Sequence, residues 1–490
     1  MNSIKINLAE ISAKYSKEIR TFFVLLFLYG LSMISIIRAN YNYIDDLGRT
    51  AFGYRGWAGF SRFISEYLSV FVHTTRELND ISPLPQILAV IIMALASTFL
   101  IHIVSSIRGF CYWSIAAVLP LGLSPYFLEC LSYKFDSPYM ALSVLASIFP
   151  LLFMDKGIKI YSTMVILGTL IMCMTYQVSS GIFLLCTMFV VALKWGNGHK
   201  FTDCIKSLII SGVNFLIGII IFRKILMNPV HTYVSTDIAD KNSFFDIVSR
   251  NIITYFSILE QDSVRLWIIL FITICFSFVV SYVINSVRPK YKTILMASVL
   301  LVVGGMFSYG GYIILQKPLF APRGMYGFGV FVALVGLSAI NCWHKNILAK
   351  LSCLGLSWAL LVFSFTYGNV LAEQKRYTDF RTQLVLSDLS KLPDLNNAHL
   401  RKMQLRGNIG KSPIVNRMAA KYKVLNRLVP KTLGAGWHWS EFYLYHYFSL
   451  PGVQQLPGWS KEQPDNIPVI FDSCYHTIKA NDKYILVELK

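Results

Sequence analysis

The chain has 490 residues, of which 55% are hydrophobic and 14% charged, and its mean hydropathy is +0.53. That composition excludes an ordinary soluble globular protein and indicates a polytopic α-helical membrane protein. The formal net charge of +19 does not point to nucleic acid, because apolar runs dominate and Lys and Arg at their ends orient a membrane protein and meet anionic headgroups.

Crossing the hydrocarbon takes about 20 apolar residues, and runs of that kind predict about 11 transmembrane helices. They fall at 20–37, 84–104, 109–123, 138–154, 160–175, 180–195, 205–222, 265–286, 293–315, 326–342 and 347–368. The first run leads directly into Arg38 and a polar loop with no small-residue cleavage site, so it is expected as a retained helix. Tyr176-Gln177-Val178-Ser179-Ser180-Gly181 is a tight turn between two spans or a kink within one, which leaves 160–195 as one span or two. Lys5, Lys14, Lys17 and Arg20 share a side with Arg108, Lys156, Lys159, Lys194, Lys200, Lys206, Arg288, Lys290, Lys292, Lys345 and Lys350. Basic short connections stay in the cytoplasm, so the N-terminus is expected there and the C-terminus outside.

The outer side then receives the connections 38–83, 124–137, 223–264 and 316–325, together with nearly all the carboxylates. Within the first, Phe60, Phe63, Ile64, Tyr67 and Phe71 recur at helical spacing opposite Arg62, Ser65, Glu66 and Ser69, with Arg62 and Glu66 four apart. That pattern suits a helix lying in the membrane interface. Residues 1–368 form the membrane domain and 369–490 a small α/β domain. In the latter, Leu371 to Leu392 and Ile414 to Leu428 are expected as helices. Val469-Ile470-Phe471 and Tyr484-Ile485-Leu486-Val487 are expected as strands flanking a turn near Asn481-Asp482. Most of the nine cysteines lie in apolar spans, and a bridge between the outer pair Cys130 and Cys474 is not expected.

Three outer stretches could carry chemistry. Arg38-Ala39-Asn40-Tyr41-Asn42-Tyr43-Ile44-Asp45-Asp46-Leu47-Gly48-Arg49 holds an adjacent carboxylate pair. Consecutive side chains diverge, so one of Asp45 and Asp46 acts as a base while the other holds the loop, or both serve a structural pairing with Arg49. The narrow choice is Asp45 as base and Asp46 paired to Arg49. In 124–137, Glu129, Lys134 and Asp136 lie near membrane level, where stranded charges cost several kcal/mol unless paired. Lys134 and Asp136 either satisfy each other or contact substrate. Gln316-Lys317-Pro318-Leu319-Phe320-Ala321-Pro322-Arg323-Gly324 offers Lys317 and Arg323 to a lipid phosphate, or as an interfacial anchor. His438 and His446, in the Trp- and Tyr-rich stretch 437–447, are packing or sugar-facing residues rather than metal ligands. Nucleotide-binding loops, zinc motifs and nucleophile elbows are absent from the sequence.

The first-loop motif, Ser132-Tyr133-Lys134-Phe135-Asp136-Ser137 and Pro322-Arg323-Gly324, in a chain of this length, resemble the Gtr-type serotype-converting O-antigen glucosyltransferases of enteric bacteria and their temperate phages. The resemblance covers the membrane part, while the C-terminal domain matches only in size and placement. It implies a GT-C-like fold in the bacterial inner membrane with the C-terminal domain in the periplasm. The donor it implies is polyprenyl-phosphate (undecaprenyl-phosphate) glucose, and the acceptor is an O-antigen polysaccharide or lipid-linked repeat. Asp45 or Asp46 is then the base, and Arg323, Lys134 and Lys317 bind the donor phosphate. Arg49, Glu129, Asp136, Tyr41 and Tyr43 contact substrate. No cofactor or metal is demanded. A flippase or transporter of lipid-linked saccharides is the rival from another class, but it calls for functional charges near the midplane of the spans, whereas here they gather in outer loops. An O-antigen polymerase is a third reading, which needs no monosaccharyl donor.

Overall fold

The computed structural model describes residues 15–230, 237–392, 400–435, 439–440, 443–448, 450, 452–456, 460, 462 and 464–490. His438 and the side chain of His446 fall outside the described residues. Eight described helices are long and apolar enough to cross a membrane, and nine if the pair Ser114–Leu123 and Pro125–Ser132, bent by 56°, forms one span. Apolar runs in the sequence predict about 11. The difference lies in that bent pair and in two shorter apolar helices, Ser137–Phe153 and Gly327–Cys342. Most of their side chains are buried among other helices, so neighbouring protein rather than lipid sets their length. The alternative at 160–195 resolves as two helices, Ile158–Thr175 and Gln177–Gly196.

The segment 124–137, expected as an outer loop, is mostly helical and wholly buried. Ser124 caps Pro125–Ser132 by accepting the Phe127 N–H at 3.3 Å, and Pro125 occupies a first-turn position where its missing N–H leaves no gap. A Ser-Pro break therefore bends the chain and turns it inward, carrying Glu129, Lys134 and Asp136 into the protein. The connection 223–264 likewise contains the helix Phe244–Asp262.

The helix Phe63–His73 turns Ser65, Ser69 and His73 toward the protein and leaves Tyr67 and Phe71 exposed, as an interfacial helix requires. Glu66, expected beside Arg62, pairs with Arg55 at 3.2 Å, while Arg62 Nε donates to Gln177 Oε1 at 3.1 Å. Cys130 is buried, Cys474 is exposed, and both are free thiols.

The last long helix, Ile347–Leu389, runs through the expected boundary at 368 without a break. Its 43 residues span about 65 Å, far more than a bilayer core. Its inner half lies against the first helix, Ser16–Ala39, where Gly368 meets Ser35 so closely that a Cβ there would stand 2.3 Å from Ser35 Oγ. Its outer end places Val385 and Leu389 on a five-stranded sheet and completes a core with Met403, Leu405, Ile478, Ile485 and Val487. The strands β1 (Arg401–Gly407), β2 (Val453–Gln455), β3 (Val469–Asp472), β4 (His476–Ala480) and β5 (Tyr484–Leu489) lie in the order β2-β1-β5-β4-β3. β1 runs parallel to both β2 and β5, and the other pairs are antiparallel. The expected strands are thus β3 and β5, with β4 between them. The helix expected from Ile414 to Leu428 is two pieces, Pro413–Lys421 and Leu425–Leu428.

That second piece adds a further contact between the C-terminal segment and the membrane helices. Its terminal carbonyls have no partner within the helix, and tyrosines of the membrane part supply them. Tyr43 Oη donates to Leu428 O at 2.7 Å, Tyr367 Oη to the same carbonyl at 3.4 Å, and Tyr41 Oη to Pro430 O at 3.4 Å. If the Gly368 contact is what allows the first and last helices to pack, Gly368→Val should lower the thermal stability of the detergent-solubilised protein by about 1–3 kcal/mol through overpacking. Gly212→Ala, in a helix interior with no atom within 4 Å of the new Cβ, should instead raise it by up to about 1 kcal/mol in the same melting assay, because Ala favours a helix over Gly.

Candidate functional site

The first helix ends at Ala39, and Asn40 reverses the chain with φ 44°. Four residues later Ile44 also adopts a left-handed φ of 46°. A β-branched residue there is strained by roughly 1–3 kcal/mol and persists only where its surroundings enforce it. What enforces it is Asp46, the first residue of the short helix Asp46–Phe52. Its Oδ2 accepts the backbone N–H of Tyr43 at 2.9 Å and that of Lys134 at 3.0 Å. The first loop is thereby pinned to the re-entrant segment. Asp46 is fully buried, and burial pushes its carboxyl up to about 8, opposed by the two backbone N–H groups.

Asp45 is different in every respect. It is half-buried, its side chain does not cap the helix, and it makes no hydrogen bond or ion pair among the described residues. Of the two adjacent carboxylates, one is locked and one is available.

Arg49 does not pair with Asp46. Its Nη1 lies 2.8 Å from Asp136 Oδ2, both side chains are buried, and its guanidinium sits 3.9 Å from the Trp57 ring centroid. Trp57 Nε1 donates to Asp136 Oδ1 at 2.5 Å. Lys134 and Asp136, two residues apart in the motif, therefore take separate partners: Lys134 Nζ reaches Asp80 at 3.0 Å. A charge buried this deeply would cost several kcal/mol if left alone, which is why each has found an opposite.

Glu129 forms the next knot. Its Oε1 accepts from Arg323 Nη1 at 3.0 Å and lies 3.2 Å from Tyr43 Oη, and its Oε2 accepts the Arg323 backbone N–H. The structure thus brings Asp45, Asp46, Arg49, Glu129, Lys134, Asp136 and Arg323 to one end of the helices, under the sheet domain. Tyr41 and Tyr43, expected to face a sugar, are instead buried in the seam with the C-terminal segment. Lys317 is exposed, and among the described residues no hydrogen bond or ion pair joins it to this cluster.

Sequence reasoning missed several members. Asp80, Trp57 and Tyr54 sit in the first loop without a motif around them. Arg427 pairs with Asp262, which also accepts from Tyr126 Oη at 3.2 Å, and it donates to the Phe320 carbonyl. Its partners are more than 100 residues away, and no local pattern could have signalled them. Beside this pair an apolar groove of about 100 Å³ runs between helices, lined by Tyr126, Trp267, Phe271, Phe328, Val332 and Leu356. Among the described residues there is no group of three or more His, Cys, Asp or Glu side chains placed to share a metal ion.

Fold and site together describe a helical chain with membrane-length spans, whose paired charges gather, with Asp45 unpaired among the described residues, at the end that meets a small sheet domain. The sequence model of the family described as Glucosyl transferase GtrII matches residues 34–334, and the chain belongs to that family. It is also 24% identical over 416 residues to a protein of Salmonella phage P22 described as an uncharacterized 55.3 kDa protein in the gtrB 5' region, covering 81% of this chain and 84% of that one. No solved structure matches. The family match includes every charged residue of the cluster from Asp45 to Arg323 and excludes Arg427.

The raised Asp46 carboxyl has a consequence for stability. The folded protein keeps this proton up to about pH 8, whereas the unfolded chain releases it near 3.8. Its contribution is therefore fully present below 3.8 and is lost as pH rises through about 8. In melting experiments from about pH 5 to 8, Asp46→Asn, which keeps an acceptor and cannot ionise, should flatten the wild-type decline with pH. Asp46→Ala should be destabilised throughout by the loss of the acceptor for two backbone N–H groups.

Proposed function

We propose that this glucosyltransferase transfers glucose from a polyprenyl (undecaprenyl) phosphate donor to a hydroxyl of the lipopolysaccharide O-antigen, with inversion, on the periplasmic face of the inner membrane. The N-terminus is cytoplasmic, the sheet domain periplasmic and the architecture GT-C-like. The observation that carries the reading is the unpaired, half-exposed Asp45 in a cluster where Asp46, Glu129 and Asp136 are buried and bound. A base must have lone pairs free for the proton it takes, and Asp45 has them.

In the reaction the acceptor hydroxyl oxygen attacks the anomeric carbon from the face opposite the phosphate while its proton passes to Asp45. The bond between C1 and the phosphate oxygen breaks, and the lipid phosphate leaves with the electron pair. Phosphate is a good leaving group and needs positive charge more than a proton. Arg323, held on Glu129 with part of its side chain exposed, and Lys134, held on Asp80, supply that charge. Lys317 is suited to meet the headgroup at the membrane surface. The apolar groove beside Asp262 and Arg427 offers an isoprenoid chain a path between the helices. No step calls for a cofactor.

The test is transfer of labelled glucose from synthetic polyprenyl-phosphate glucose to O-antigen acceptor by the purified protein. Asp45→Asn should lower kcat by about 10²–10⁴-fold, the usual contribution of a general base. Asp46→Asn should retain most activity at neutral pH. Full activity in Asp45→Asn would defeat the assignment of the base, and no transfer by wild type would count against the donor.

A further inference from the structure

At the end of the helices away from Asp45, the first helix, Ser16–Ala39, and the helix Leu84–Arg108 part around a cavity of about 380 Å³ lined largely by hydroxyl-bearing and charged side chains. Small-molecule sites have volumes of roughly 300–1,000 Å³. The lining comes from the first turns of one helix, the last turns of the other and Phe110 just beyond. Helices of 24 and 25 residues are about 36 and 38 Å long, more than the roughly 30 Å hydrocarbon core, so these terminal turns reach headgroup depth. The loop that carries Asp45 follows the far end of the same first helix, about 36 Å away, which makes the cavity separate from the site described above.

The hydroxyls in the cavity wall are of two kinds. Those of Thr98 and Ser106 donate to carbonyls of their own helix, Ala94 O and Ile103 O, each at 2.8 Å, as helical hydroxyls commonly do. Thr21 Oγ1 and Ser105 Oγ are buried and have no hydrogen-bond partner among the described residues, and Thr21 is 1% exposed. A buried hydroxyl without a partner is costly, and one acceptor anion in the cavity would satisfy both. Charges of both signs share the wall. Lys17 Nζ stands 5.9 Å from the centroid of the Phe110 ring. Glu18 Oε1 lies 2.8 Å from His102 Nδ1, and Glu18 Oε2 has no partner among the described residues. A ligand that matches this wall carries an anion for Lys17 and the two hydroxyls, and a cation with N–H donors for Glu18. We infer that the cavity binds the zwitterionic phosphoethanolamine headgroup of a membrane phospholipid, its phosphate accepting from Lys17, Thr21 and Ser105 and its ammonium donating to Glu18. A glycerol headgroup offers Glu18 no cation, and a choline headgroup offers it no N–H. The source is a lipid because the cavity sits at headgroup depth between two membrane-length helices, where Ile101 and Phe110 give its wall an apolar part.

The experiment uses the full-length protein in detergent, with short-chain phosphatidylethanolamine carrying a fluorophore on one acyl chain as the probe. Unlabelled phosphatidylethanolamine should compete about tenfold better than phosphatidylglycerol, phosphatidylcholine or soluble O-phosphoethanolamine, each of which lacks one part of the match. Lys17→Ala and Ser105→Ala should each raise the Kd about five- to tenfold, and Glu18→Gln should shrink the preference over phosphatidylglycerol about fivefold. Thr21→Val keeps the shape and removes the hydroxyl. Without lipid its melting temperature should hold or rise, because a partnerless buried hydroxyl is gone, whereas the rise that phosphatidylethanolamine gives wild type should shrink. A merely structural hydroxyl would give the opposite result, a lower melting temperature without lipid and an unchanged lipid effect. Equal competition by phosphatidylglycerol would overturn the zwitterionic match, and equal competition by O-phosphoethanolamine would make the ligand a free metabolite and overturn the lipid. No saturable binding by wild type, or binding unchanged in Ser105→Ala and Thr21→Val, would remove the site.

Discussion

One carboxylate oxygen holds the functional end of the molecule together. Asp46 Oδ2 accepts backbone N–H groups from Tyr43 and from Lys134, which are far apart in the chain, and so fixes the first loop against the re-entrant segment. That pin, with the Asp46 N–H donating to the Tyr43 carbonyl at 3.0 Å, holds Ile44 in its left-handed conformation and presents Asp45 on the edge of its short helix. The tightness of the pin follows from burial, which makes an unfilled backbone N–H expensive and a shared acceptor valuable. Asp46 is the positioning residue and Asp45 the one it positions.

Around this pin the charges are arranged so that each buried one is neutralised by a neighbour from another segment. Arg49 with Asp136 ties the first loop to the re-entrant turn, Lys134 with Asp80 ties that turn to the chain before the second long helix, and Arg323 with Glu129 brings in the connection after residue 315. Arg427 with Asp262 and the tyrosine hydroxyls on Leu428 and Pro430 add the C-terminal domain. Pairs of this kind contribute little net stability against an apolar alternative, but removing one partner strands a charge, so they specify how the segments meet. The pairs cross-link the segments around the cluster, and Asp45 makes no hydrogen bond or ion pair among the described residues.

Much of this was legible in the sequence. Apolar length locates each long span, because lipid imposes a length, and the divergence of adjacent side chains leaves at most one base in the Asp45-Asp46 pair. The errors have physical causes. Glu129, Lys134 and Asp136 were read as a loop because charges break an apolar run, yet a Ser-Pro cap folds them inward, where partners from elsewhere neutralise them. Tyr41 and Tyr43 sit in a polar motif and looked available to a sugar, but their hydroxyls serve the orphan carbonyls of a helix near residue 428. Arg49 was assigned to the nearest acid in sequence, whereas in three dimensions the nearest acid is Asp136. Local spacing shows which side chains share a face and says nothing of what a distant segment brings to it.

Asp45, released from structural duty by Asp46, is proposed to meet the acceptor hydroxyl. The most direct measurement is an electron cryo-microscopy structure of the full chain with a non-hydrolysable polyprenyl-phosphate glucose analogue and an O-antigen oligosaccharide. The account places the reacting hydroxyl within about 2.6–3.2 Å of an Asp45 carboxylate oxygen, with Asp46 still on the Tyr43 and Lys134 N–H groups. A reacting hydroxyl bound instead to Glu129 or Asp80, with Asp45 turned to solvent, would contradict it.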